Sequence, residues 1–75
     1  MYKVDVNALR KRMAECNIRT YTELSIRSGI DRNTISKIFS CTVKPTTLAI
    51  EKLMLALEIE PEHAGKIFFV PFLRN

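Results

Sequence analysis

Two glycines, two cysteines and a single histidine leave this 75-residue sequence with little material for chemistry. Cys16 and Cys41 stand far apart, without a C-x-x-C spacing or a histidine cluster beside them, which excludes the usual zinc and redox motifs. They read as reduced, structural thiols. His63 has no nucleophile or carboxylate pair placed to use it, so it reads as a surface or packing residue rather than a catalytic base. Gly29 and Gly65 are too few for a glycine-rich phosphate loop. No cofactor, metal ion or small-molecule substrate is expected, and the chain is not expected to be an enzyme. Long apolar runs are lacking too. Nothing approaches the roughly 20 residues that span a bilayer, and no basic start leads into the apolar segment of an export signal. The expectation is a cytoplasmic protein with no membrane attachment.

What the sequence does contain is globular in kind: 47% hydrophobic and 27% charged residues, well away from the composition of disordered chains. So few residues close one apolar core only, so residues 1–75 are expected to form a single domain. The net charge of +4 is unevenly spread. From Met1 to Lys44 there are nine Lys and Arg against four acids, an excess of five, whereas from Pro45 to Asn75 three bases face four acids. A polyanion is the natural partner for the basic half, since each neutralised phosphate releases condensed counterions. A solvated basic face without a ligand has the same composition.

No repeat, low-complexity tract or Gly/Ser linker interrupts the chain. Asp5 is placed to cap a first helix in which Val6, Leu9, Met13 and Cys16 recur at helical spacing, and the helix is predicted to run to about Asn17. Thr20, with Glu23 three residues later, forms a capping box for a second helix, Tyr21 to Ser28. Gly29 is suited to the left-handed conformation that ends it. Asp31 caps a third helix, Arg32 to about Phe39, with Ile35, Ile38 and Phe39 inward. Pro45 prevents its continuation. Thr46 caps a fourth helix, Thr47 to Glu58, whose inward stripe is Ile50, Leu53, Met54 and Leu57. Pro61 opens a brief fifth helix that Gly65 ends. The tail, 66–73, is rich in Ile, Phe and Val and reads as a strand, held to a sheet edge by Pro71, with Tyr2 to Val4 as its antiparallel partner.

The second helix, Gly29 and the third helix obey a steric logic. Two helices joined by so tight a turn cross steeply, so the residue facing the second of them must be small and the turn residue must tolerate an unusual backbone. Ser25 and Gly29 meet these demands, while Leu24, Ile30, Ile35 and Ile38 supply apolar contacts. Arg32, Asn33, Ser36 and Lys37 are left on the outward face of the third helix. Thr20-Tyr21-Thr22-Glu23-Leu24, Ser28-Gly29-Ile30, Arg32-Asn33-Thr34-Ile35-Ser36-Lys37-Ile38 and Lys44-Pro45 carry a likeness across Leu9 to Phe69. This stretch resembles the Cro/CI-like helix-turn-helix regulators of phages and bacteria, the XRE family. The resemblance implies an all-α, five-helix, lambda repressor-like DNA-binding domain, with the helix-turn-helix over 21–39 and a small two-stranded pairing of the termini.

It also implies a sequence-specific transcriptional regulator, a repressor or Cro-like protein of a phage lysogeny switch, that lays its third helix in the major groove of an operator. Arg32, Asn33, Ser36 and Lys37 would read base edges. Arg can grip the two major-groove acceptors of guanine and Asn can pair bidentately with adenine, each for about 1–3 kcal/mol of discrimination. Tyr21, Thr22, Thr34 and Lys44 would contact phosphates, which position the protein without reading sequence. The chain departs from the family pattern twice. Tyr21 stands where Gln is usual, and can offer its hydroxyl to a phosphate or pack against the third helix. The turn after the third helix is Ser40-Cys41-Thr42, where Gly is frequent. Operators are usually read by dimers. Leu48, Leu55 and Ile59, a second apolar stripe on the fourth helix, together with Phe69 and Phe72 of the tail, either cover one another or form a surface for a homodimer or a partner repressor. The alternative function is an antirepressor or modulator that binds such a repressor instead of acting alone on DNA.

Overall fold

Side-chain caps start four of the five helices in the computed structural model, which describes residues 2–71. Asp5 accepts a hydrogen bond from the Ala8 N–H at 3.1 Å and α1 spans Val6–Glu15. Thr20 accepts from the Glu23 N–H at 3.1 Å ahead of α2, Tyr21–Ser28. Asp31 accepts from the Asn33 N–H at 3.0 Å ahead of α3, Arg32–Phe39. Thr46 accepts from the Ala49 N–H at 3.1 Å ahead of α4, Thr47–Ala56. Each bond satisfies an amide that has no partner within its own helix. The fifth helix, α5 (Pro61–Phe68), has no side-chain cap and begins instead with proline, whose missing N–H costs nothing there.

Three helices end without glycine in the left-handed conformation. Asn17, Cys41 and Glu58 have φ of 59°, 61° and 53°. At each, two backbone bonds close the helix end: Ile18 N–H to Met13 O and Asn17 N–H to Ala14 O; Thr42 to Lys37 and Cys41 to Ile38; Ile59 to Met54 and Glu58 to Leu55. This is the Schellman arrangement, usually built on glycine. Consequently α1 stops at Glu15 and α4 at Ala56, short of the Asn17 and Glu58 expected from periodicity. The chain reverses at Glu58 and turns Ile59 inward, where it is buried.

Leu9, Ile18, Leu24, Ile35, Ile38, Leu53 and Leu57 are fully buried and form the centre of one apolar cluster. Of the stripe expected on α4, Leu53 and Leu57 are buried while Ile50 and Met54 are half-buried, and Ala49 joins them inside. Arg12 ties α1 to the end of α4: its Nε and Nη2 donate to the Leu57 carbonyl at 3.1 and 2.8 Å, and Nη2 donates to the Glu58 carbonyl at 3.2 Å. Its Nη1 donates to Glu15 at 2.7 Å, and this bond, opposed by burial, raises the guanidinium's pKa above its ordinary value. A cation over the last carbonyls of a helix also complements the helix dipole.

Gly65 does not end α5, which runs through it to Phe68. Ala64, Ile67 and Phe68 recur at i, i+3 and i+4, and Ile67 and Phe68 are buried, so the packing gain of the amphipathic face outweighs the helix cost of one glycine. The strand expected over 66–73 is therefore reduced to β2, Val70–Pro71, and positions 72 and 73 lie outside the described residues. β2 pairs antiparallel with β1, Tyr2–Lys3, in the register Tyr2 with Pro71 and Lys3 with Val70. The Asp5 N–H extends the joint by donating to the Ile67 carbonyl at 2.6 Å. The resulting architecture is five helices around one apolar cluster with one short terminal pairing, as the resemblance implies.

Candidate nucleic-acid interface

α2 and α3 are joined through Gly29, Ile30 and Asp31. Gly29 has φ +75° and its N–H donates to the Ser25 carbonyl at 2.8 Å, which ends α2 and swings the chain away. A Cβ at Gly29 would meet nothing within 4 Å, so glycine is favoured there by backbone conformation and not by crowding. Ser25 does more than stay small: its hydroxyl donates to the Ile30 carbonyl at 2.5 Å, across the turn. The Ser28 hydroxyl accepts from the Ile30 N–H at 3.2 Å. Both polar groups of Ile30 are thus held while its side chain is buried. Leu24, Ile35 and Ile38 lie in the shared core beneath.

With Ile35, Ile38 and Phe39 inward, α3 presents Arg32, Asn33, Thr34, Ser36 and Lys37 to solvent. None of these side chains makes a hydrogen bond or ion pair with another described residue. The face is polar, carries two cations and is uncompensated by any acid of its own helix. Asp31, next to it in the chain, is engaged as the N-cap.

Around this face, Thr22 is exposed on α2 and Lys44 is exposed in the loop after α3. The loop takes its shape from Cys41, whose left-handed backbone does what the frequent glycine of such turns does, so that Thr42, Val43 and Lys44 come after a regular helix end. The Ser40 hydroxyl donates to the Lys37 carbonyl at 3.1 Å and lies 2.7 Å from that of Thr42. Tyr21 is half-buried, with its ring 4.9 Å from that of Phe39 at a tilt of 43°, so it braces α2 against α3. Glu23 completes the capping region by accepting from the Arg19 N–H at 3.3 Å, one residue earlier than the capping box anticipates.

Arg19, just before α2, and Arg27, in its last turn, are exposed and were readable from sequence only as part of the basic half of the chain. The Ser25–Ile30 bond crosses a turn whose shape is set by the packing of α2 on α3, and cysteine has no preference for a left-handed backbone, so neither was legible locally.

The apolar stripe assigned to a partner surface is only partly present. Leu48 and Leu55 are 59% and 82% exposed and Phe69 is 49% exposed, but Ile59 is buried, for α4 has ended before it. Phe72 lies outside the described residues. No helix among the described residues is long and apolar enough to cross a membrane.

A family profile for the Cro/C1-type HTH DNA-binding domain matches residues 8–63, which contain most of α1, all of α2 to α4, the turn between α2 and α3, and the start of α5. No curated protein and no solved structure gives a match to the chain. With the profile covering most of its length and the helix-turn-helix formed as described, the chain belongs to the Cro/C1-type HTH DNA-binding domain family.

Proposed function

We propose that this DNA-binding domain works as a sequence-specific transcriptional regulator, repressor-like or Cro-like, of the kind that serves phage lysogeny switches. It inserts α3 into the major groove and acts by occupying its operator. The observation that supports this reading is the outward face of α3: Arg32, Asn33, Ser36 and Lys37 are exposed together and their side chains use none of their hydrogen-bonding capacity on other described residues. Arg32 and Asn33, in the first turn, take guanine and adenine edges, and Ser36 and Lys37 extend the reading by one turn. Thr22, Thr34 and Lys44 hold phosphates, with the Tyr21 hydroxyl beside them while its ring stays on Phe39.

The test is selection of bound sequences from a random duplex pool, then titration of the selected duplex at fixed salt. One sequence class is expected to be enriched. Arg32→Ala then costs about 1–3 kcal/mol on that sequence and relaxes the preference at one base pair, whereas Lys44→Ala weakens all sequences alike and lowers the salt slope by about 1. Failure to enrich any sequence overturns the reading and transfers the function to a protein partner, as in an antirepressor.

A further inference from the structure

The outward face of α3 resolves into two lines. At an advance of about 100° per residue, Arg32 and Ser36 fall on one and Asn33 and Lys37 on the next, with Ile35, Ile38 and Phe39 buried behind both. The first line ends at Ser36, because the next residue along it, Ser40, spends its hydroxyl on the Lys37 carbonyl at 3.1 Å. From Arg32 to Lys37 the helix rises about 7.5 Å, or roughly two base-pair steps, so a reading head of this length covers about three base pairs.

The chemistry of the head is one-sided. Arg32 and Lys37 only donate, Asn33 both donates and accepts, and no carboxylate stands on the face, since the nearest, Asp31, holds the Asn33 N–H at 3.0 Å as the N-cap. Cytosine presents a donor in the major groove, its N4 amino group, and the acceptor that suits it is Asp or Glu, which this face lacks. Guanine presents two acceptors, N7 and O6, which suit Arg32 and Lys37, and the N7 and N6 of adenine suit the Asn33 amide. Arg32 stands at the start of the head, Lys37 at its end and Asn33 between them in the chain. We propose that the core of the recognised DNA sequence is about three base pairs, an A·T pair between two G·C pairs, with the guanines gripped by Arg32 and Lys37 and the adenine by Asn33. Cytosines enter only as the partners of those guanines. This rests on the proposed function, whose base reading it narrows to one sequence class.

Replacement of single purines by their 7-deaza analogues, in the duplex enriched from the random pool, tests it, since the change removes N7 and leaves base pairing intact. At fixed salt, 7-deazaguanine at either outer pair is expected to weaken wild-type binding about fivefold or more. In Arg32→Ala the loss at one of these guanines disappears while the loss at the other persists, and Lys37→Ala shows the reverse. At the central pair 7-deazaadenine weakens the wild type and ceases to matter in Asn33→Ala. All three residues are exposed, so the variants keep the wild-type circular dichroism. A pool in which no sequence is enriched overturns the proposed function and this inference together. An enriched sequence whose core lacks the two guanines, a wild type indifferent to their N7 atoms, or losses that persist equally in Arg32→Ala and Lys37→Ala each overturn this inference alone.

Discussion

Replacing each of the two glycines by alanine should move stability in opposite directions. Both sites have room for a methyl group, since a Cβ at Gly29 or at Gly65 would meet nothing within 4 Å. Packing therefore drops out and the backbone decides. At Gly29, φ is +75°, where an L-residue pays about 1–2 kcal/mol, offset by about 0.4–1 kcal/mol because alanine has less freedom to lose on folding. The net is a loss of roughly 1 kcal/mol. Gly65 sits inside α5 in ordinary helical conformation and is exposed, so alanine gains about 0.8–1 kcal/mol of helix propensity. The two variants should differ by about 2 kcal/mol. With a urea m-value of about 1 kcal/mol/M, expected for so small a domain, their midpoints lie about 2 M apart, one on either side of the wild type. Urea denaturation monitored by far-ultraviolet circular dichroism reads this directly. Equal midpoints, or a stabilised Gly29→Ala variant, would refute the conformational preference assigned to Gly29.

The same geometry governs other perturbations. Cys41→Gly and Glu58→Gly should each stabilise by about 0.5–1 kcal/mol in the same urea assay, because both residues hold a left-handed backbone. Asn17→Gly should gain less, since asparagine tolerates that region; a gain as large as that of Glu58→Gly would contradict the argument. Ser25→Ala removes the hydrogen bond to the Ile30 carbonyl and should lower the thermal midpoint by the equivalent of about 1 kcal/mol, and an unchanged midpoint would show that the bond contributes nothing net.

The starts of the helices were legible because their causes are local. Asp5, Thr20, Asp31 and Thr46 each bond an amide two or three residues ahead, and a residue type that competes for backbone groups announces this role in sequence. Their ends were less so. Gly29 declared itself, whereas Asn17 and Glu58 adopt the same conformation because the reversal buries the very next residue, Ile18 or Ile59, in the core. That cause is tertiary. It also explains Ile59, which reads as the continuation of an exposed stripe until α4 is seen to stop three residues earlier. The tail misled in the other direction. Ile67 and Phe68 have strand propensity, but with Ala64 they also keep a helical period, and the core on one side of α5 decides between the two.

The candidate interface was largely readable because α3 is short and strongly amphipathic. Once Ile35, Ile38 and Phe39 are inside, Arg32, Asn33, Ser36 and Lys37 have nowhere to point but out. Tyr21 was ambiguous for a physical reason: an aromatic ring with a hydroxyl suits both a packed joint and a phosphate, and its 4.9 Å approach to Phe39 settles only where the ring goes.

The claim that α3 is the reading head is tested most directly by amide chemical-shift mapping of the protein titrated with a duplex recovered from the selection. The account predicts the largest shifts at 32–37, with a second set at Thr22 and Lys44 and little change along α5. Shifts concentrated on α4 or α5, with the amides of Arg32 to Lys37 unmoved, would contradict it.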